Sequence, residues 1–153
     1  EEVEKTLAII KPDGIKNISK IIEMIYSSGL IISKYEVRQL NEEILSEHYA
    51  HLSEKPFFQR VKDSMMATPV IVCCLEGVGA IEAVRMITGP TTGRKAPAGT
   101  IRGDYSMSFQ ENIVHASDSP ETAEAELKRF FKPEEIFEYK QATFDYLYAS
   151  DEY

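Results

Sequence analysis

Residues 112–126 read Asn-Ile-Val-His-Ala-Ser-Asp-Ser-Pro-Glu-Thr-Ala-Glu-Ala-Glu (NIVHASDSPETAEAE). Asn112, Ile113 and Val114 have strand character, and His115 stands where the apolar run stops. Ala116, Ser117 and Asp118 are small or polar and suit a tight turn. Ser119 is a good N-cap, and Pro120 fits the first helical position, where its missing N–H is not needed. A helix follows, with Glu121, Glu124 and Glu126 toward its positive end. The stretch therefore predicts a strand, a turn and a helix, with a histidine at the strand end facing a helix start. Free N–H groups at such a start attract anions, which makes it a plausible place to move a phosphoryl group. A single histidine between two elements is read equally well as a buried or solvated side chain.

Working outward, residues 6–10 (TLAII) form a short apolar run, the mark of a strand buried on both faces. Lys11-Pro12-Asp13-Gly14 ends it with turn chemistry. Ile18, Ile21, Ile22 and Ile25 recur at helical spacing, and Gly29 supplies a stop. Residues 30–40 alternate loosely and predict a second strand. Asn41 caps a helix carrying Ile44, Leu45, His48 and Leu52. Pro56 starts another, with Phe57, Val61 and Met65 along one stripe. Residues 69–75 (PVIVCCL) predict a third, fully buried strand. Residues 79–88 predict a helix with Ile81, Val84 and Ile87 inward, closed by Gly89-Pro90. Residues 91–110 have no clear period and read as a long loop, a kind that is usually functional or disordered. The fourth strand runs through Ile113 and Val114, and the next helix from Pro120 to about residue 131. Residues 133–139 predict one or two further helical turns, and 143–148 a final docked segment.

This order, β-α-β-α-α-β-α-loop-β-α, reduces to two βαβ units. It predicts an α+β fold, a ferredoxin-like βαββαβ sandwich with an antiparallel four-stranded sheet, extra helices and a long loop. No linker, repeat or low-complexity stretch divides residues 1–153, so a single domain is expected. The 153 residues suffice for a sizeable core. Apolar residues make up 43% and charged residues 27%, the balance of an ordinary globular chain.

No apolar run approaches the roughly 20 residues that span a bilayer. Residues 1–5 are acidic rather than basic, unlike a secretory signal. The two cysteines, Cys73 and Cys74, are adjacent, so in a strand they point to opposite faces and do not bridge. Free apolar cysteines favour a reducing interior, and a cytoplasmic location is expected. The net charge of −8 argues against general nucleic-acid binding.

The charge is unevenly spread. Arg85, Arg94, Lys95 and Arg102 lie in a segment, 85–102, with no acidic residue. Positive charge gathered on a Gly/Thr-rich loop of an acidic chain suggests a site for a small phosphate compound. A solvated loop is the alternative. Lys11 follows a buried strand directly and could reach a ligand as a compact charge. His48 and His51, three apart on the predicted helix, could face one ligand. No cysteine or third histidine accompanies them, and zinc usually takes three or four protein ligands.

Five motifs then join. KPDG at 11–14, HY at 48–49, PFF at 56–58, GTIRGDY at 99–105 and NIVHASDS at 112–119 together resemble nucleoside diphosphate kinase. The resemblance runs from about residue 5 to 148, in the family's order and spacing. It implies transfer of a γ-phosphoryl group, typically from ATP, to a nucleoside diphosphate by a ping-pong route through a phosphohistidine. It assigns His115 as the nucleophile and Glu126 as the group that orients its ring. Lys11, Tyr49 and Asn112 would contact the ribose 3′-hydroxyl and the transferred group. Arg85, Thr91 and Arg102 would clamp phosphates, which agrees with the charge count. Phe57 would stack on the base, with Val61 and Phe109 in the same slot. Ser117 would support the histidine, and Asp118 would lie near a Mg²⁺ ion held mainly by phosphates. A homo-oligomer, tetramer or hexamer, is implied too.

The chain departs from the family pattern at several places. Ala116 stands where Gly is usual, Thr92 replaces an Asn, and Phe109 replaces a small aliphatic residue. The segment after Gly14 is about two residues short, and residues 149–153 run past the usual end. A binding or scaffold protein without turnover would also carry the fold. The full set of Lys11, Tyr49, Arg85, Thr91, Arg102, Asn112, His115 and Glu126 favours the enzyme.

Overall fold

The computed structural model describes residues 2–152, so the expected domain ends at Glu1 and Tyr153 lie outside the described residues. Four strands form one antiparallel sheet: β1 (Val3–Ile10), β2 (Ile31–Arg38), β3 (Val70–Val78) and β4 (Val114–Ala116), in the order β2-β3-β1-β4. Six α-helices accompany it: α1 (Ile18–Ser27), α2 (Glu42–His48), α3 (Phe58–Met66), α4 (Ala80–Thr88), α5 (Ile101–Tyr105) and α6 (Pro120–Phe130). This is the expected α+β, ferredoxin-like sheet.

The sequence pattern explains why both sheet faces are covered. In β1 and β3 every side chain from Leu7 to Ile10 and from Val70 to Leu75 is buried. Ala8, Ile10, Ile71, Cys73 and Leu75 pack with α1, α4 and α5 through Ile21, Ile25, Val84 and Ile101. Leu7, Ile9, Val70, Val72 and Cys74 pack on the other face with Leu45, Met65 and Phe130 of α2, α3 and α6. Strand period two splits one apolar run into two cores, which is why it needs helices above and below. The adjacent cysteines are free, buried and on opposite cores, as expected.

Helix starts follow their caps. Asn41 accepts from Ile44 N at 3.0 Å, and Ser119 accepts from Thr122 N at 3.1 Å. Gly29, at φ +95°, follows α1 and lets the chain turn into β2. Three expectations need correction. First, α2 ends at His48 and a 3₁₀ turn, Ala50–Leu52, follows. Tightening to i→i+3 bonds from Leu52 to Tyr49 and from Ser53 to Ala50 swings His51 away from the line of His48.

Second, segment 91–110 is not loop throughout. It holds a 3₁₀ turn, Gly93–Lys95, and α5. Thr100 caps α5 through Gly103 N at 3.0 Å. A Cβ on Gly103 would lie 1.9 Å from Pro97 O, so the glycine is there for close approach, and a five-residue helix containing it shows no period. Third, β4 is three residues long and begins at Val114. Ile113, at φ +76°, cannot continue a strand. His115 is therefore the central residue of β4, paired with Ile9, and the turn begins only at Ser117.

Residues beyond α6 dock over the sheet, as expected for 143–148. Phe137 N donates to Ser33 O at 2.9 Å, Tyr139 to Ile32 O at 2.7 Å, and Val78 N to the Tyr148 hydroxyl at 3.1 Å. Between 133 and 139 only Pro133–Glu135 is helical, as a 3₁₀ turn. Among the described residues no helix is long and apolar enough to cross a membrane.

Candidate active site

The site grows from the end of the sheet where β1 and β4 meet. Strand alternation sends Val114 and Ala116 into the core shared with α4 and leaves His115 on the face covered by α2 and α6. On α6, Ala123, Glu126 and Phe130 form the buried stripe, so the Glu126 carboxylate is carried inward to meet the ring. His115 Nε2 lies 3.0 and 2.9 Å from the two Glu126 oxygens. Ser117 donates to Glu126 Oε1 at 2.5 Å. Burial opposes ionisation of Glu126. The hydrogen bond and charge of His115 and the hydrogen bond from Ser117 outweigh it, and the net shift is downward. An ionised carboxylate only accepts, so His115 Nε2 carries the hydrogen. Nδ1 then keeps its lone pair and has no hydrogen-bond partner among the described residues. What α6 offers the histidine is this carboxylate; no first-turn N–H bonds the ring.

His48 completes the arrangement. It is buried, and its ring meets that of His115 edge-on with centroids 4.7 Å apart. Arg129 Nη1 lies 2.9 Å from His48 Nδ1. A guanidinium can only donate, so that nitrogen is an unprotonated acceptor and His48 is neutral. Its approach to Glu126 Oε2, 3.5 Å, is thus no ion pair. Burial first, then the charge of His115, lowers its pKa to about 3. His48, His115 and Glu126 offer ligand atoms within 4.8 Å of one another. Those atoms are engaged with each other and with Arg129, whose charge would repel a metal. His48 and His51 do not face one ligand: His48 is buried and His51 is exposed in its 3₁₀ turn.

This buried neutral histidine has a consequence for acid stability. Between pH about 6.5 and about 3 the unfolded chain binds a proton at residue 48 that the folded chain refuses. Stability therefore rises with pH across that window and falls on acidification, by at most about 5 kcal/mol from this group. Glu126, with its lowered pKa, adds to the loss at the acid end. Urea midpoints between pH 5 and 7 test this. His48→Gln can still accept from Arg129 but does not titrate, and should flatten the slope; an unchanged slope would point to another group.

Around His115 opens a cavity of about 530 Å³, within the usual size for a small-molecule site. Lys11, Tyr49, Asn112, Arg85, Thr91 and Arg102 line it with His115. Phe57, Val61 and Phe109 line its apolar end, and Asp118 and Glu126 are its carboxylates. Ser117 sits behind the wall, buried against Glu126. Arg94 and Lys95 stay outside it, exposed to solvent.

The cationic side chains are held differently. Lys11 is buried and donates to Gln110 O at 2.6 Å and Asn112 Oδ1 at 2.9 Å, while Asn112 donates to Thr91 O at 3.1 Å. Burial lowers the Lys11 pKa, opposed by Asp13 and Glu111. Ile113 is pinned in its strained turn by Lys11 N to Ile113 O and by Ile113 N to Asp13, each 2.8 Å. A β-branched residue at positive φ costs about 1–3 kcal/mol; here it aims Asn112 at Lys11. Arg102 donates to Asn112 O (3.2 Å), Gly89 O (2.8 Å) and Val114 O (2.6 Å). Burial, then the charge of Arg85, lowers its pKa to about 10, so it remains cationic at neutral pH. Arg85 makes one long bond, 3.4 Å to Ala116 O, and its other side-chain donors have no partner among the described residues. Burial raises the Tyr49 pKa, so its phenol stays protonated.

Sequence reading did not single out Arg60 and Gln110, which also line the cavity and join across it, Arg60 Nε to Gln110 Oε1, at 2.9 Å. The signal was spacing: Arg60 lies three residues, nearly one turn, after Phe57. Arg129 was likewise missed, three residues beyond Glu126 on the same helix.

A cavity that gathers Lys11, Arg60, Arg85 and Arg102 around a partly exposed histidine defines a protein that handles phosphate esters. Known proteins narrow the class. The nucleoside diphosphate kinase family matches residues 4–136. A nucleoside diphosphate kinase of Parabacteroides distasonis is 60% identical over 153 residues, covering 99% of this chain and 100% of its own. That of Pyrococcus horikoshii is 43% identical, with 96% of each chain covered. Among solved structures, a halophilic nucleoside diphosphate kinase from Halobacterium salinarum in complex with CDP superposes with a TM-score of 0.93 at 31% identity, covering 97% of this chain and 100% of that one. The chain belongs to the nucleoside diphosphate kinase family, and it is a phosphotransferase that acts on nucleotides.

Proposed function

We propose that the chain, acting as one domain, moves the γ-phosphoryl group of a nucleoside triphosphate to a nucleoside diphosphate through a phosphohistidine on His115. The observation that carries this is the free Nδ1 of His115 in a cationic cavity while Nε2 is tied to Glu126. In the first half-reaction the Nδ1 lone pair attacks the γ-phosphorus. The bond to the bridging oxygen breaks, and the diphosphate leaves with that electron pair. No base is needed, because the attacking nitrogen carries no proton. The imidazole gains positive charge, which Glu126 offsets through Nε2–H while Ser117 holds the carboxylate. In the second half-reaction a terminal phosphate oxygen of another diphosphate attacks the phosphorus, and the N–P bond breaks.

Arg85 and Arg102, with Thr91, neutralise and position the phosphates, the main requirement of phosphoryl transfer. Lys11, Tyr49 and Asn112 hold the ribose 3′-hydroxyl and the transferred group. Phe57, Val61 and Phe109 take the base. The Asp118 carboxylate has no side-chain partner among the described residues, and one such hard oxygen donor fits Mg²⁺, which prefers few protein ligands beside phosphates and water. Bound there, the ion supplies further neutralisation of phosphate charge. A coupled assay with ATP and a second nucleoside diphosphate tests the whole reading.

Base selectivity is expected to be broad. Stacking contributes roughly 1–3 kcal/mol for any base, and the inner slot has no buried edge-reading group. The kcat/KM values for GDP, UDP, CDP and thymidine diphosphate should fall within roughly 100-fold, purines ahead. A 3′-deoxy analogue should transfer far more slowly. Full activity on it would remove Lys11 and Asn112 from their roles. Two buried, free thiols, raised to about 12 by burial, suit a reducing compartment such as cytoplasm. Tyr35 and Val37 lie exposed on β2, which supports a closed homo-oligomer. Light scattering should give a tetramer or hexamer, and a stable monomer would refute it.

A further inference from the structure

The apolar end of the cavity has a polar clasp. Phe57 and Phe109 line it from different parts of the chain. Arg60, on α3, and Gln110, next to Phe109, are joined by a 2.9 Å hydrogen bond from Arg60 Nε to Gln110 Oε1. Gln110 is itself anchored three times: its carbonyl accepts from Lys11 at 2.6 Å, its backbone N–H donates to Ser108 Oγ at 3.2 Å, and its Nε2 donates to Glu111 Oε1 at 3.0 Å. Glu111 Oε1 in turn accepts from Ser64 of α3 at 2.9 Å. The loop and α3 are thus tied at two points, one turn apart on the helix. The guanidinium of Arg60 is fixed by its Nε, and its two Nη groups have no partner among the described residues.

We infer that Arg60 is a specificity-determining residue that reads the edge of the base, favouring keto over amino groups; this rests on the nucleotide-transfer reading above. A ring held between Phe57 and Phe109 turns one edge toward the residue that links those two segments. Nη donors match acceptors there: O6 and N7 of guanine, or O4 of uracil and thymine. The amino groups of adenine and cytosine put donor against donor. The preference therefore cuts across purine and pyrimidine, which ring size and stacking alone cannot do. Because Arg60 is exposed, water replaces a lost contact, and the discrimination is small, about fivefold to tenfold for each pair. Gln110 is a positioning residue that keeps the guanidinium at the rim.

The test uses the phosphorylated protein freed of donor, mixed with GDP, ADP, UDP or CDP, with loss of label followed in time. The inference expects GDP to discharge it faster than ADP, and UDP faster than CDP, by about fivefold to tenfold. Arg60→Met keeps the aliphatic stem and removes the donors, and should bring both ratios to within about twofold of one. Gln110→Ala should shrink both ratios. Wild-type ratios near one, or ratios that survive Arg60→Met, overturn the inference. Failure of every diphosphate to discharge the label would instead overturn the phosphohistidine reading.

Discussion

Incubated with ATP and Mg²⁺ but no acceptor, the protein should take up the γ-phosphate on His115, with the label lost in acid and kept in base. His115→Ala should remove the label and lower kcat by at least about 10⁴-fold, the scale of losing a nucleophile. The effect should be this large because no other nucleophile stands in its place. Ser117 is buried and its hydroxyl is committed to Glu126 at 2.5 Å. His48 presents its Nδ1 to Arg129 and stays neutral in the core. His51 lies at the cavity's edge in a separate turn. Glu126→Gln gives the sharper comparison. An amide still reaches Nε2 but carries no charge, so phosphorylation should slow by about 10²-fold while nucleotide binding holds. Label that survives His115→Ala, on Ser117 or elsewhere, would sink the assignment.

Arg102→Ala should be the next most damaging change, in two measurable ways. The three carbonyls of Gly89, Asn112 and Val114 lose their donor, and each belongs to a segment that lines the cavity or carries a lining residue. Unpaired buried acceptors of this kind should cost about 3–5 kcal/mol of stability. Loss of its charge beside the phosphates should cost a further 2–4 kcal/mol or so in kcat/KM. Arg85→Ala separates the two effects. Its single 3.4 Å bond to Ala116 O contributes little to stability, so the variant should unfold at nearly the wild-type urea concentration yet lose a comparable share of rate. Arg94, outside the cavity, should tolerate alanine on both measures. If Arg94→Ala were as harmful as Arg102→Ala, or if Arg102→Ala left the urea midpoint unmoved, the division of roles would be wrong.

What local sequence determines here is what depends on neighbours in the chain. The unbroken apolar run 69–75 required a strand in a sheet covered on both faces. Asn41, Ser119 and Pro120 set helix starts because a cap needs only the next three residues. His115 at a strand end before a helix was legible in the same way, but its pairing with Glu126 came only from the resemblance to the family, and the fold brings the two within 3.0 Å. Tertiary structure decided the rest. The three-residue β4 and the twisted Ile113 follow from bonds to Lys11 and Asp13, about a hundred residues away, so no local pattern shows them. Arg102 was readable as a charge, but its carbonyl partners become visible only when Gly89, Asn112 and Val114 converge. Three-residue spacing only allowed His48 and His51 to face one ligand; packing beneath α6 made His48 a neutral wall for His115, because burial penalises its charged form. The Arg60–Gln110 clasp joins residues fifty apart whose polar side chains read as ordinary surface, and only the closure of α3 against the loop at the cavity rim gives them a site to act on.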